Sequence, residues 1–342
     1  MRIGVDIRTL LSPTGRGVSH YTQAILAELI RQHPKDEWHL LQTGRRPYEL
    51  PKELKSKAVS FHHYQHSNKA LNLRLATTGR PRLESLLPPV DVFFAPNLGF
   101  IRLGKTPLVL TVHDLSFALF PNLYSRKERL WHKLIRPHEL LRRADRIIAV
   151  SGQTRDELKQ VYGIPPERAS VVHSGIDEIY RKPVTAQVGA KVRRKYQLPK
   201  KYLLFLGAHD PRKQLPVVLA AFAEAQQRGL QADLVLAGSS SPALIKLVRE
   251  AGGPSVRVLG YVPEADKPGL YREALGCVLV SSHEGFGFPP LEALAVGTPF
   301  GIPGNGRTVH FRLLHVFDVA DGVITRENAW LDVGSVLGQL GA

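Results

Sequence analysis

Residues 276–297 read GCVLVSSHEGFGFPPLEALAVG. The run 276–282 is short, apolar and rich in Val and Leu, as expected of a strand covered on both faces. It enters the glycine-rich turn His283-Glu284-Gly285-Phe286-Gly287-Phe288. PPLEALAVG (289–297) follows, with Pro in the first turn and Gly297 behind the end, the usual punctuation of a helix. A strand, a glycine-rich loop and a helix in that order form one βα unit of a parallel sheet.

The same order recurs upstream. YLLFLGA (202–208), ADLVLAG (232–238) and VRVLG (256–260) are predicted strands, and LPVVLAAFAEAQQRG (215–229) a helix with Gly229 as its stop signal. Before them, 181–200 is a polar, basic link. The first half repeats the alternation. RIGVDIR (2–8), WHLLQ (38–42), VDVFFAP (90–96), PLVLTVHD (107–114), RIIAVS (146–151) and SVVHSGI (170–176) are predicted strands. YTQAILAELIRQH (21–33) and LWHKLIRPHELLRRA (130–144) have helical apolar spacing, the second interrupted by Pro137. The fold class is therefore α/β, with two doubly wound domains facing a cleft. Residues 1–180 form the first, 181–300 the second, and 301–342 a divergent tail. Ligands of such sheets bind beyond the carboxyl ends of the strands.

Composition is that of an ordinary globular chain: 342 residues, 43% apolar and 22% charged. No apolar run reaches the length of a membrane span. The N-terminus reads as a strand interrupted by Asp6, not a signal peptide. One cysteine, Cys277, excludes an internal disulfide and fits a reducing compartment. A cytoplasmic location is expected. The net charge of +16 favours anionic partners. Nucleic acid is not expected, because the cations are not interleaved with an aromatic platform.

Four strand ends carry chemistry. After 276–282, Glu284 and Glu292 lie eight residues apart, one on the loop and one in the first turn of the helix. The helix start offers free N–H groups suited to a phosphate. Glu292 can accept from vicinal hydroxyls or simply balance the helix dipole. After 202–207, Asp210-Pro211-Arg212-Lys213 places two cations where a diphosphate would sit. After the first strand, Ser12 to Gly17 resembles a phosphate loop without matching a nucleotide fingerprint. His113-Asp114 ends the strand at 107–112; His113 reads equally as a packed residue or a catalyst. No Asp-x-Asp occurs, so the common metal handle for nucleotide sugars is missing. His62-His63-x-x-His66 reads as a surface loop, not a metal site.

Together these pieces resemble the retaining glycosyltransferases of the two-Rossmann GT-B fold, family 4 (glycosyltransferase group 1, mannosyltransferase-like). Glu284 to Glu292 is similar to the family's E-x7-E motif, with Gly287-Phe288 in place. Pro211-Arg212-Lys213 resembles its basic pair. Gly15-Arg16-Gly17 followed by Tyr21, Thr111 to Phe117, Ala144 to Ser151 and Val171 to Asp177 resemble its N-terminal domain. The resemblance covers about residues 1–300.

It implies a hexose donor linked to a nucleotide diphosphate, GDP or UDP, and transfer with retention to a lipid-linked or polysaccharide acceptor. Arg212, Lys213, Gly15 and Gly17 would bind the donor diphosphate. Glu292, Gly287 and Phe288 would bind ribose and donor sugar, and His113 and Glu284 would be catalytic. No metal and no cofactor are implied. The sequence 300–342 departs from the family pattern, so the alternative is a truncated GT-B protein that binds nucleotide or a partner without transfer.

Residues 126–146 carry Arg126, Lys127, Arg129 and Lys133 among leucines. One reading turns Leu130, Leu134 and Leu141 into the core and leaves the cations solvated. The other docks this face peripherally on anionic lipid at the inner face of the cell membrane.

Overall fold

The computed structural model describes residues 1–11, 17–46, 48–207 and 210–296, and the backbone of 313–320 and 323–331. Elements of the first half are β1 (Arg2–Asp6), α1 (Gly17–Gln32), β2 (Glu37–Thr43), β3 (Val59–Tyr64), α2 (Asn68–Thr77), β4 (Val92–Ala95), β5 (Leu108–Val112), α3 (Ser116–Leu119), α4 (Arg126–Ile135), α5 (Pro137–Arg143), β6 (Arg146–Ala149), α6 (Gly152–Tyr162), β7 (Ala169–Val171) and α7 (Glu178–Arg181). The second half has α8 (Ala186–Lys195), β8 (Tyr202–Leu206), α9 (Leu215–Gln227), β9 (Asp233–Ala237), α10 (Pro242–Ala251), β10 (Val256–Gly260), α11 (Lys267–Glu273), β11 (Gly276–Val278) and α12 (Phe288–Val296). A separate antiparallel pair, β12 (Leu313–Ala320) and β13 (Val323–Leu331), follows.

The first sheet is parallel, in the order β3-β2-β1-β4-β5-β6-β7. The second is parallel too, in the order β10-β9-β8-β11. Side chains of a strand alternate between faces, and both faces are packed here. Leu40 and Phe94 join the cluster under α1, while their neighbours Leu41 and Phe93 join the cluster on the opposite face. In the second sheet Phe205 packs toward α9, and Leu204 and Leu206 toward α11. Tyr180, on α7, belongs to this second core.

Strand order reverses next to β1 in one sheet and between β8 and β11 in the other. Crevices open at such switch points, outside the carboxyl ends. The loops leaving β8 and β11 carry Arg212-Lys213 and Glu284, so topology alone makes them neighbours.

Several sequence readings change. The strand expected over 276–282 ends at Val278, because 279–282 turns toward the β8 loop, where Ser282 N–H donates to the Arg212 carbonyl at 2.8 Å. The strand expected over 170–176 ends at Val171. His62 and His63 lie on the edge strand β3, not in a surface loop. There a His62 ring nitrogen lies 3.2 Å from His39, which occupies the neighbouring strand. The link 181–200 contains α8, started by the Thr185 side chain, which accepts from Val188 N–H. The helix read over 130–144 is two helices. Arg136 adopts φ 53° at the junction and Pro137 opens the second. Leu141 and Ile135 are buried, whereas Leu130 and Leu134 point outward.

Candidate active site

At the end of β8 the chain turns at Gly207, with φ 80°. That positive φ favours glycine, and a Cβ there would stand 2.7 Å from Lys213 Nζ and displace the lysine side chain from the strand end. Lys213 folds back over the strand end and donates to the Leu206 carbonyl at 3.1 Å. Among the described residues it forms no ion pair.

Arg212 is placed differently. Its Nη2 bonds Asp210 Oδ2 at 2.6 Å, and its Nη1 reaches into the other half to Asp114 Oδ2 at 3.0 Å and Ser116 Oγ at 3.1 Å. Burial alone would lower the guanidinium pKa. The hydrogen bond to Asp210 and the charges of Asp114 and Asp210 more than offset it, and the pKa is raised. Burial would likewise raise the Asp114 carboxyl. Arg212 outweighs that effect, with hydrogen bonds from Ser116, and holds it low. Ser116 Oγ also meets Tyr124 Oη at 2.5 Å.

The β11 loop lies alongside. Gln214 donates to Ser282 Oγ at 2.6 Å, joining the two loops. Glu284 accepts from Ser281 Oγ at 2.8 Å. At Gly285 a Cβ would stand 1.8 Å from the His113 carbonyl oxygen and could not be accommodated, so the loop touches the main chain of the other half. Gly287 follows with φ 83°, and Phe288 begins α12. Glu292, one turn into α12, accepts from Tyr271 Oη at 2.6 Å. Burial raises its pKa despite that bond and the charge of Lys267.

Opposite stands His113. Its Nε2 donates to the Pro96 carbonyl at 2.8 Å, and Tyr21 of α1 meets its ring edge-on at 4.7 Å. Burial lowers its pKa, against the pull of the Pro96 carbonyl and Asp114, which keeps the ring neutral at neutral pH. Gly17 opens α1 one turn before Tyr21, with open space where a side chain would begin. Gly15 lies outside the described residues. Farther along, a cavity of about 160 Å³ opens between the halves, lined by Ser19, His20, Gln23 and Tyr48 on one side and Tyr261 and Glu264 on the other.

The structure thus gathers His113, Arg212, Lys213, Glu284, Gly287, Phe288 and Glu292 around one interface. Sequence reasoning passed over Asp114 as a partner of Arg212, although it adjoins His113. It had no signal for Tyr271 or for Glu157, a helical acid whose partner is 126 residues away.

Two family models match the chain: Glycosyltransferase Family 4 over residues 15–179 and Glycosyl transferases group 1 over residues 190–300. The O-antigen chain mannosyltransferase B of Escherichia coli is 33% identical over 216 residues, covering 61% of this chain and 55% of that protein. A D-inositol 3-phosphate glycosyltransferase of Thermobispora bispora is 31% identical over 217 residues, covering 58% and 50%. The chain therefore spans about half the length of these curated relatives. Among solved structures, WaaG, a glycosyltransferase involved in lipopolysaccharide biosynthesis, superposes with a TM-score of 0.60 at 16% identity, over 89% of this chain and 80% of that one. Anabaena HepE in complex with UDP and glucose gives 0.59 at 18%, over 86% and 78%. These likenesses are to the GT-B fold.

Proposed function

The chain belongs to the family 4, group 1 glycosyltransferases, and from that premise we propose that it moves a hexose from a nucleotide-diphosphate sugar, GDP- or UDP-linked, to a lipid-linked or saccharide acceptor with retention. The observation that carries this reading is the convergence at the β8/β11 switch point. A lysine without an ion-pair partner among the described residues, two carboxylates and a helix start meet there, directly opposite His113.

Each group has a task. Lys213, which among the described residues donates to a main-chain carbonyl and forms no ion pair, turns to the diphosphate. The bond from the anomeric carbon to the diphosphate oxygen breaks, and negative charge grows on that oxygen as positive charge grows on the sugar. A cation in place at the leaving oxygen is worth several kcal/mol of transition-state stabilisation. The start of α1, with Gly17, brings further N–H donors from the other half, and the family resemblance adds Gly15 to the diphosphate contacts. Glu292, kept in place by Tyr271, accepts from the ribose hydroxyls. Glu284 and the backbone of 285–288 hold the sugar, and His113 contributes a neutral ring beside it. The acceptor hydroxyl bonds to the anomeric carbon and gives up its proton to the departing diphosphate oxygen. Without an Asp-x-Asp motif, Lys213 and the helix starts take the place of a metal, and no cofactor is needed. Arg212 acts through its clasp on Asp210 and Asp114.

The test is a turnover screen of GDP-, UDP- and ADP-hexoses with an acceptor extract, followed by thermal shift with each nucleotide. Nucleotide binding without turnover for any donor would favour the non-transferring alternative.

One surface supports a membrane-facing acceptor. Leu130 is 56% exposed, Trp131 41% and Leu134 38%, and Arg126, Lys127, Arg129 and Lys133 surround them on α4. The Ser125–Glu128 capping box fixes the start of this helix. No helix among the described residues is long and apolar enough to cross a membrane. Each cation near an anionic surface contributes about 1 kcal/mol, so four suffice for reversible attachment at the inner face of the cell membrane. Co-sedimentation with anionic vesicles should fall steeply with salt; equal binding to neutral vesicles would contradict the electrostatic docking.

A further inference from the structure

The strongest feature outside the donor contacts is a buried pair between the halves. Glu157, on α6 of the first half, and His283, at the entrance of the β11 loop, meet with Nε2 2.7 Å from Oε1. Their side chains are 10% and 3% exposed. A carboxylate buried this deeply requires partners. Glu157 Oε1 has two, since Gln153 donates to it at 2.9 Å. Glu157 Oε2 and His283 Nδ1 have none among the described residues. Phe120 covers the imidazole, with ring centres 5.8 Å apart.

The position of the pair gives it a use. His283 immediately precedes Glu284. Two residues on, Gly285 abuts the His113 carbonyl, with no room for a side chain. The loop is thus fixed at two successive points against the first half, by a side-chain bond at 283 and by main-chain contact at 285. A packing role alone would be met more cheaply by two apolar side chains.

We propose that Glu157 and His283 are positioning residues: the pair sets the place of the 284–288 backbone, and through it the donor sugar, while the nucleoside diphosphate is held elsewhere. The proposal rests on the glycosyl-transfer reading. The pair touches no substrate. It determines whether the sugar end of the donor finds its partners, so its loss should separate recognition of the sugar from recognition of the nucleotide.

Two measurements on the full chain decide it. The first is amide hydrogen exchange of residues 284–288 in E157A, H283A, E157Q and H283Q, without ligand. E157A and H283A should lose protection there, while E157Q and H283Q, which keep a hydrogen bond at the same place, should retain it. The second compares UDP or GDP with the corresponding hexose donor. E157A should raise the donor KM roughly tenfold and leave the affinity for the free diphosphate within about twofold. The E157A/H283A double variant should be no worse than either single one, as expected of two groups acting as a unit. Unchanged protection in E157A and H283A would overturn the proposal. So would equal loss of donor and free-diphosphate affinity accompanied by a lower Tm, because a general packing defect behaves that way. A wild-type chain with no turnover of any nucleotide sugar would defeat the transfer reading, and the exchange experiment would still decide the role of the pair.

Discussion

Asp114 and Arg212, one at the end of β5 and the other in the turn after β8, form an ion pair of 3.0 Å that ties the two halves together. The same guanidinium is held by Asp210 at 2.6 Å. The adjacent cation, Lys213, has no such partner among the described residues, so two neighbouring residues of like charge have different roles.

Removing each cation should show that difference. K213A should weaken a nucleoside diphosphate by about tenfold or more and leave the free nucleoside nearly unaffected, since a charge-assisted bond to phosphate is lost. R212A should leave Asp114 and Asp210 half-buried without their cation, and lower Tm as well as activity. Calorimetry with excess chelator and a thermal melt check both. Equal weakening of nucleoside and diphosphate in K213A would place Lys213 away from the phosphates.

Glu292 should show a trade-off between stability and binding. Burial raises its pKa above the unfolded value. The group therefore favours the folded state most below the unfolded pKa and loses that contribution as pH rises through the folded pKa. E292Q, which can still accept from Tyr271, should match or exceed the wild-type Tm at pH 7–8, and the gap should close toward pH 4. Its donor KM should rise roughly tenfold with little change in kcat, because the ribose contact exists in ground and transition states alike. A Tm difference independent of pH would argue that Glu292 is not buried as a carboxylate.

His113 should act as a neutral ring. Burial moves its pKa down, so any inflection it causes in the pH profile should lie below about 6.5, the ordinary value for histidine. H113A should lower kcat more than it raises KM. Unchanged kcat and KM would leave packing on Tyr21 and the Pro96 carbonyl as its whole role.

The alternating strands are readable because they follow from local periodicity, and Glu284 and Glu292 because they lie eight residues apart on one strand–loop–helix unit, where the resemblance supplies the E-x7-E motif. β1, β5, β8 and β9 are single apolar runs, and α12 has its proline where a helix start expects one. β3 escaped because His62, His63 and Tyr64 disguise an edge strand as polar. α8 escaped because its apolar face is only Val188 and Val192 among cations. The site was legible wherever one loop carries a motif and illegible wherever two halves meet. Asp114 with Arg212 lies 98 residues apart in sequence and Glu157 with His283 126. Only the strand order, with its switch points, brings such residues together.

The measurement that bears most directly on the account is an NMR time course of the anomeric proton with a UDP- or GDP-hexose, metal chelated, and a lipid-linked or saccharide acceptor. The account predicts consumption of the donor, release of the nucleoside diphosphate and a product with the donor's own anomeric configuration. A product of inverted configuration, or turnover that appears only when a divalent cation is restored, would contradict it.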